Sequence, residues 1–280
     1  MNQTSIPLHL NAESRREIED ALIRVGVLTQ DPGGYVEARG PFDYVFLGPQ
    51  SYETGDTEPT ESGGDAPVLG WYPGVWAAVF GPLQATLRQH ALPVPLLDDL
   101  LSAFIQDVQK TRDAQGYADR AELLAYCRRS ANPVGRLLLH LYGVTGAQAL
   151  DESDAICTAL QLINFWQDLS VDIPRGRHYL PHADCARHGA GPADLLALHS
   201  TPNNVLLIAD CARWARTLMQ KGAPLVLRLP GRAGWELRLV VQGGLRILDK
   251  VDALRGASLH TRPRLHAWDW LVMLGRALVM

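Results

Sequence analysis

Two aspartates four residues apart, Asp168 and Asp172, have the clearest chemical meaning in this sequence and form its only D-x-x-x-D pattern. On a helix, two like charges at this spacing cost about a few tenths of a kcal/mol. Pro174 disfavours helical geometry just after them, so both carboxylates stand near a helix C-terminus, where the macrodipole also opposes negative charge. A divalent cation would compensate, because Mg²⁺ binds carboxylate oxygens and completes its shell with waters and substrate phosphates. The spacing therefore predicts a Mg²⁺ site, to which Asn164 could add a neutral oxygen one turn earlier.

A second interpretation of the same aspartates needs no metal. Arg175 and Arg177 follow immediately and could form ordinary salt bridges with them at the helix end. The same arginines also suit a metal site, since guanidinium groups bind diphosphate through paired hydrogen bonds. The residues alone leave both interpretations open.

The helix that carries the aspartates must position them beside a cavity. In the segment 151–181, apolar residues occupy most of the helix circumference, which predicts a buried helix. A narrow polar stripe nevertheless runs along one side at steps of three or four residues, formed by Asp154, Thr158, Gln161, Asn164, Asp168 and Asp172. Polar side chains in line on a buried helix predict a cavity wall.

Residues 121–143 predict a second helix, which Pro133 should kink because proline removes a backbone donor. Tyr126, Arg129, Ser130 and Asn132 gather just before the kink. The plain interpretation of Tyr126 is a packed ring with a satisfied hydroxyl. The polar stripe on the other helix adds the alternative that these residues form a second part of one site.

Composition and charge exclude several classes of function. The 280 residues are 47% hydrophobic and 20% charged, as expected of a soluble globular protein. The net charge of −4 lacks the basic surface that nucleic-acid binding requires. The N-terminus has neither the basic nor the apolar stretch of a signal peptide, and no segment approaches about 18 uninterrupted apolar residues. Four widely spaced cysteines without a C-x-x-C pair favour reduced thiols, so we expect a cytoplasmic protein that binds no nucleic acid.

The sequence changes character near residue 65. Residues 1–65 contain 12 acids, 4 arginines and no lysine, whereas the remainder carries a net charge of +4. Residues 29–74 are rich in turn signals such as QDPGGY and predict loop or disorder. From Trp76 onward the periodicity is helical almost throughout, with no convincing strand. We predict an all-α protein with an atypical, loop-rich segment over residues 1–64 and a helical domain over residues 65–280.

Two motifs resemble those of the squalene/phytoene synthase family. The run YCRRSANPVG at 126–135 is similar to the family's tyrosine-led helix, and QLINFWQDLSVDIPRGRHYLP at 161–181 is similar to its second aspartate helix. The resemblance covers about residues 66–280 and is nearest to the hydroxysqualene-forming branch of bacterial hopanoid pathways. It implies an isoprenoid-synthase-type helical domain around a deep apolar cavity, with Mg²⁺ and diphosphate at the cavity mouth.

The resemblance also implies roles for individual residues. Asn164, Asp168 and Asp172 would bind Mg²⁺, and Tyr126 would act in catalysis together with the two aspartates. The residues implied in substrate binding are Arg129, Asn132, Gln161, Arg177, Tyr179 and Arg262. The implied reaction converts presqualene diphosphate to hydroxysqualene. Presqualene diphosphate or phytoene synthesis, from farnesyl or geranylgeranyl diphosphate, is the sister chemistry.

One family motif is absent from its expected place. The family carries a first aspartate motif well before the tyrosine, but residues 46–65 here combine helix breakers with the scattered acids Glu53, Asp56, Glu58 and Glu61. Losing one of two metal clusters should impair diphosphate ionisation, because the positive charge is needed most in the transition state. The alternative function is therefore an impaired or inactive family member that only binds prenyl diphosphate.

The C-terminal segment DWLVMLGRALVM has an apolar face but contains Asp269 and Arg276. These charges favour packing against the core over contact with lipid. Because the implied substrate is apolar, peripheral association with the inner face of the membrane stays open, and so does the oligomeric state.

Overall fold

The computed structural model describes residues 28–30, 36–38 and 77–280. The chain divides into two compact units, Met1–Gln89 and His90–Met280. In the first unit, strand β1 (Leu28–Gln30) pairs antiparallel with β2 (Val36–Ala38), and helix α1 spans Ala77–Gln89. The predicted boundary near residue 65 and the acids of residues 46–65 lie outside the described residues.

The short β1–β2 hairpin corrects part of the prediction of loop or disorder for residues 29–74. Leu28 lies opposite Ala38, and Gln30 lies opposite Val36. Most of the turn signal QDPGGY, residues 31–35, falls between the two strands and outside the described residues. Strands of three residues are too short to show the alternating pattern from which a strand is predicted.

The second unit consists of α-helices and short 3₁₀ turns. Its helices are α2 (Val94–Arg112), α3 (Arg120–Ser130), α4 (Asn132–Leu141), α5 (Ala147–Gln167), α6 (Leu169–Asp172), α7 (His182–His188), α8 (Pro192–Leu196), α9 (Pro202–Gly222), α10 (Gly231–Ala253) and α11 (Ala267–Leu278). The 3₁₀ turns are Ile173–Arg175, Ala223–Leu227 and Ala257–Leu259. The all-α prediction is confirmed, since the β1–β2 hairpin is the one exception among the described regular elements.

Helix α5 is buried between its neighbours, as its apolar circumference predicts. Leu162 and Trp166 are fully buried, and α9 packs along the helix. Gly222 permits the close approach of α9, because a Cβ there would come within 2.5 Å of the Glu152 carbonyl oxygen and 2.6 Å of Ile156 Cγ1. The close packing fixes α5 and the side chains that it carries.

Two helix breaks shape the region that the aspartates occupy. Helices α3 and α4 meet at Ala131, with φ −124° and ψ −47°, and Pro133 lies in the first turn of α4, where no backbone donor is needed. Helix α5 ends at Gln167, and Asp168 separates it from α6. The Asp172 amide still donates to the Asp168 carbonyl oxygen at 2.8 Å. The two aspartates therefore keep their one-turn relation although the helix is not continuous.

An ion-pair cluster joins α3 to α7 and α9. The Arg120 guanidinium contacts Asp184 at 2.6 Å and Asp210 at 2.7 Å. The Asp184 side chain is 1% exposed, so its charge depends on this pairing and on Arg187.

None of the helices in the described part of the chain combines the length and apolar character needed to span a bilayer. The four cysteine thiols are free, and those of Cys127 and Cys211 are buried.

Candidate active site

A polar cavity of about 450 Å³ opens where α5, α6 and the following 3₁₀ turn meet α2 and α3. Three aspartates and three arginines face it, together with a cluster of aromatic rings. Its lining residues are Asp107, Tyr126, Gln161, Asn164, Phe165, Asp168, Val171, Asp172, Arg175, Arg177, Tyr179 and Arg262. The cavity gathers side chains that are more than 150 residues apart in the sequence.

Eight of the ten residues predicted for the site lie together in the lining of this cavity. They are Tyr126, Gln161, Asn164, Asp168, Asp172, Arg177, Tyr179 and Arg262. The other two, Arg129 and Asn132, are absent from the lining and bind neighbouring helices. The Arg129 guanidinium donates to Ser102 and Gln106 of α2, while Asn132 accepts a 2.9 Å hydrogen bond from Thr158. Their roles in substrate binding stay predictions.

Asp172 is half-buried in the cavity wall. Burial, together with the negative charges of Asp168 and Asp107, raises the pKa of its carboxyl to about 6. The guanidinium groups of Arg177 and Arg175 partly oppose this effect on the pKa. The ionised carboxylate is therefore under-compensated by the protein, which favours an additional cation beside it.

Asp168 has a different environment, although it is only one turn away. The Arg262 guanidinium donates hydrogen bonds to both oxygens of the Asp168 carboxylate, with 3.0 Å between Nη2 and Oδ2. The Asn164 side-chain amide donates to the same carboxylate at 3.1 Å. The salt bridge predicted from Arg175 or Arg177 is thus supplied to Asp168 by Arg262, which lies 94 residues away in the sequence.

The polar stripe on α5 serves two purposes along its length. Near the N-terminal end, Asp154 forms a two-point ion pair with Arg136 at 2.9 and 2.6 Å, and Thr158 donates to Asn132. Only the part of the stripe from Gln161 onward faces the cavity. The cavity-wall prediction is therefore right for the C-terminal part of the stripe and wrong for Asp154 and Thr158, whose polar groups are satisfied by α4.

Asp107 on α2 is a cavity residue that sequence reasoning missed. Its carboxylate accepts a 2.6 Å hydrogen bond from the Tyr179 hydroxyl and lies 4.0 Å from Arg177 Nη2. Asp107 has no second acid three or four residues away and is followed by Lys110 and Arg112, so it gives no local signal of a site.

Stacked aromatic rings form one wall of the cavity. Phe165 and Tyr179 lie nearly parallel with ring centroids 3.8 Å apart, and Tyr126 lies 6.3 Å from Phe165. Burial, reinforced by the charge of Asp107, raises the pKa of both the Tyr126 and the Tyr179 hydroxyl. Both phenols therefore stay protonated at neutral pH, and both rings line the cavity.

The arginines of the cavity supply donors for an anion. Arg175 and Arg177 follow α6, and Arg262 approaches from the segment before α11. The Arg177 Nε is buried and has no hydrogen-bond partner within the protein. A buried donor of this kind is costly unless a ligand satisfies it.

The described side chains of the cavity do not form a complete cage for a metal. Among the described residues, no three His, Cys, Asp or Glu side chains cluster closely enough to enclose an ion. Mg²⁺ does not need such a cage, because it commonly binds one or two carboxylates and takes its remaining oxygens from water and phosphate. The oxygen-rich donor set of Asn164, Asp168 and Asp172 fits that pattern.

The helical architecture and the cavity together define an all-α protein with an arginine-lined polar cavity beside an aromatic wall. The sequence profile of the family described as squalene/phytoene synthase matches residues 70–269. The chain belongs to this family.

Relatives of the chain include hydroxysqualene synthases and phytoene synthases. A hydroxysqualene synthase of Sinorhizobium fredii is 31% identical over 66% of this chain and 61% of its own length. A phytoene synthase of Thermus thermophilus is 30% identical over 78% of this chain and 76% of its own length. The crystal structure of squalene synthase HpnC from Alicyclobacillus acidocaldarius superposes with a TM-score of 0.58 at 33% identity, covering 66% of this chain and 67% of that one. The chain thus spans about three fifths of the hydroxysqualene synthase that it matches.

Proposed function

We propose that the protein is an enzyme that converts presqualene diphosphate to hydroxysqualene and releases diphosphate. The observation that carries this proposal is the single cavity in which three aspartates, three arginines and stacked aromatic rings meet. Similarity to hydroxysqualene synthases supports the choice of substrate.

The arginines bind the diphosphate group of the substrate in this mechanism. Arg177 offers its unpaired Nε, and Arg175 adds a second guanidinium from the same turn. Arg262 exchanges part of its pairing with Asp168 for a phosphate oxygen. Guanidinium groups suit this task because their donors match phosphate oxygens in pairs.

The balance of charge in the cavity supports a divalent cation. The three aspartates offset the three arginines, so the side chains alone provide no surplus positive charge for a diphosphate. Mg²⁺ held by Asp172, Asp168 and Asn164 would supply that charge and act as a Lewis acid toward the leaving group. The raised pKa of Asp172 supports its place in the set, since a cation would compensate its carboxylate.

Cleavage of the carbon–oxygen bond leaves the electron pair on diphosphate and a cyclopropylcarbinyl cation on the prenyl chain. The aromatic rings that line the cavity, those of Tyr126, Phe165 and Tyr179, stabilise this cation as it rearranges. The protonated hydroxyls of Tyr126 and Tyr179 can donate to the departing diphosphate. Addition of water to the rearranged cation and loss of one proton then give hydroxysqualene.

Phytoene-type chemistry is the second candidate. The similarity to the Thermus thermophilus phytoene synthase supports this candidate. The match covers 76% of that enzyme, whereas the match to the Sinorhizobium fredii hydroxysqualene synthase covers 61% of that protein. The cavity would bind the diphosphate of farnesyl or geranylgeranyl diphosphate with the same residues. The two candidates differ in the prenyl chain and in the product.

The deciding experiment incubates the purified full-length chain and Mg²⁺ with presqualene, farnesyl or geranylgeranyl diphosphate and identifies the lipid products by mass spectrometry. Hydroxysqualene from presqualene diphosphate is the expected result. Phytoene or presqualene diphosphate from the other substrates would instead establish the second candidate. No product from any substrate would refute both candidates and favour a family member that only binds prenyl diphosphate.

A matched pair of variants tests the cavity itself. Asp172→Asn should lower turnover about 100-fold or more, because it removes a charge that holds the cation opposite the leaving group. Asp154→Asn makes the same chemical change on the same polar stripe, but Asp154 pairs with Arg136 away from the cavity, so turnover should stay within about twofold. Equal turnover of the two variants would contradict the proposed role of Asp172.

Binding of Mg²⁺ can be measured apart from turnover. Isothermal calorimetry with Mg²⁺ and inorganic diphosphate should show that each ligand tightens binding of the other in the wild type. This coupling should disappear in Asp172→Asn and persist in Asp154→Asn. Diphosphate binding that is independent of Mg²⁺ in the wild type would rule out the proposed metal site.

A further inference from the structure

Helix α11 turns most of its apolar side chains toward solvent. Its buried residues form one narrow stripe of Asp269, Met273 and Ala277. The exposed apolar residues are Trp268, Trp270, Leu271, Leu274 and Leu278, followed by Val279, and Trp268 is 72% exposed. At 100° per residue these side chains occupy about half of the helix circumference, centred opposite the buried stripe. The prediction that this segment packs into the core is therefore wrong for most of its apolar side chains.

Buried polar contacts fix this orientation of α11. The Asp269 carboxylate contacts Arg246 Nε at 2.7 Å and Lys250 Nζ at 2.8 Å, both on α10, and accepts a 2.7 Å hydrogen bond from the His266 amide. Met273 packs over Gly243 of α10, whose Cβ would lie 3.3 Å from Met273 Cε. Because the aspartate must face α10, the apolar half of the helix must face away from it.

The exposed apolar surface continues beyond α11. Arg238 of α10 donates to the carbonyl oxygens of Ala277 and Met280, and its guanidinium lies 5.0 Å from the ring centroid of Trp235. Trp235 is itself half-exposed, so it extends the surface at the C-terminal end of α11. We call Trp235, Trp268, Trp270, Leu271, Leu274, Leu278 and Val279 the α11 surface.

The segment that carries the α11 surface has an excess of positive charge. Residues 255–280 contain four arginines, Arg255, Arg262, Arg264 and Arg276, against the single acid Asp269, which is buried and paired. Arg262 pairs with Asp168 and Arg276 with Asp249, so among the described residues Arg255 and Arg264 are the arginines of this segment without a carboxylate partner. Exposed tryptophans and leucines on a segment of net positive charge are complementary to a bilayer with anionic headgroups.

Charge argues against a second copy of the chain as the occupant of this surface. Two copies packed through it would bring the same exposed arginines, Arg255 and Arg264, together.

We propose that the α11 surface docks the protein on an anionic lipid bilayer as a peripheral contact. The tryptophans and leucines enter the boundary between headgroups and acyl chains, and Arg255 and Arg264 contact the lipid phosphates. The contact would adjoin the polar cavity, because Arg262 binds Asp168 only five residues before α11 begins. The docking surface does not depend on the identity of the substrate.

The test is co-sedimentation of the full-length chain with vesicles of phosphatidylcholine alone or with about 30% phosphatidylglycerol. The wild type should bind the anionic vesicles at least about tenfold more tightly than the neutral ones, and high salt should weaken this binding. The variant Leu271→Glu/Leu274→Glu should lower binding to anionic vesicles by about tenfold or more. Leu138→Glu/Leu141→Glu on α4 is the matched control, since it changes two leucines of similar exposure at the same spacing.

Circular dichroism of each variant shows whether it keeps the wild-type fold. Arg264→Glu is a second, milder variant, which should weaken only the binding to anionic vesicles. Absence of wild-type binding to anionic vesicles would overturn the proposal. So would equal loss of binding in the two leucine variants while both stay folded. Light scattering measures the oligomeric state and so tests whether a second copy of the chain covers this surface. The surface would be assigned to a second copy if the wild type is a dimer that does not bind vesicles and Leu271→Glu/Leu274→Glu is a monomer.

Discussion

Replacing Asp172 with asparagine should stabilise the fold at neutral pH, although the same change should lower turnover about 100-fold or more. The pKa of the Asp172 carboxyl rises from 3.8 to about 6 on folding, chiefly because of burial. Its ionised form is therefore less favourable in the folded chain than in the unfolded chain. Asparagine has nearly the same size and no charge, so it removes this penalty while filling the same space.

The size of the stabilisation expected for Asp172→Asn follows from the folded and unfolded pKa values of Asp172. Each pKa unit corresponds to about 1.4 kcal/mol, so the full effect would be about 3 kcal/mol. Water in the open cavity screens the charge, and we expect about 1–2 kcal/mol. The penalty is absent below the unfolded pKa of 3.8, grows as the pH rises, and is complete above about pH 6. At pH 4.5 it should be about one third of its value at pH 8.

Urea unfolding of the wild type and Asp172→Asn at pH 4.5 and pH 8, without Mg²⁺, measures this difference. Asp168→Asn is the control, because Asp168 forms a two-point ion pair with Arg262. Removing the charge of Asp168 should therefore lower the free energy of unfolding by up to about 1 kcal/mol. The two asparagine variants should therefore differ in the sign of their effect at pH 8. A free energy of unfolding for Asp172→Asn at or below that of the wild type at pH 8 would refute the reasoning. An advantage of equal size at both pH values would also refute it.

Three further predictions concern contacts that hold the site in place. Tyr179→Phe keeps the ring stack but removes the 2.6 Å hydrogen bond to Asp107, so urea unfolding should show a loss of about 1–2 kcal/mol, and an unchanged stability would contradict the contact. Gly222→Ala should lower the free energy of unfolding by about 2 kcal/mol or more, because the new Cβ meets backbone atoms of α5. Gly275→Ala should raise the free energy of unfolding by up to about 1 kcal/mol, because a Cβ there has no atom within 4 Å. Thermal shifts of the same sign for the two glycine variants would argue against this packing. Asp184→Ala leaves the partly buried guanidinium of Arg120 and that of Arg187 without their shared acceptor, so urea unfolding should show a free energy of unfolding lower by about 3–5 kcal/mol. A decrease below about 1 kcal/mol would show that this ion-pair cluster is not needed for stability.

Local sequence determined the helices and the side of α5 that carries polar groups. Residues three and four apart share a helix face whatever the tertiary fold, so the apolar circumference of α5 and the spacing of Asp168 and Asp172 could be read directly. The kink before Pro133 was equally predictable, because proline removes a backbone donor in any context. Family resemblance then added residues such as Tyr179 and Arg262, which have no local signal of their own.

Only the tertiary structure decided which groups face each part of the polar stripe. Asp154 and Thr158 belong to the same stripe as Asp172, yet packing of α4 satisfies the first two and leaves the third beside a cavity. Asp107 reaches Tyr179 across 72 residues of sequence, a pairing that no periodicity encodes. The outward face of α11 likewise depends on a single buried aspartate that must meet its partners on α10. Periodicity fixes the faces of one helix, whereas the burial and charge of each face depend on which distant helix packs against it.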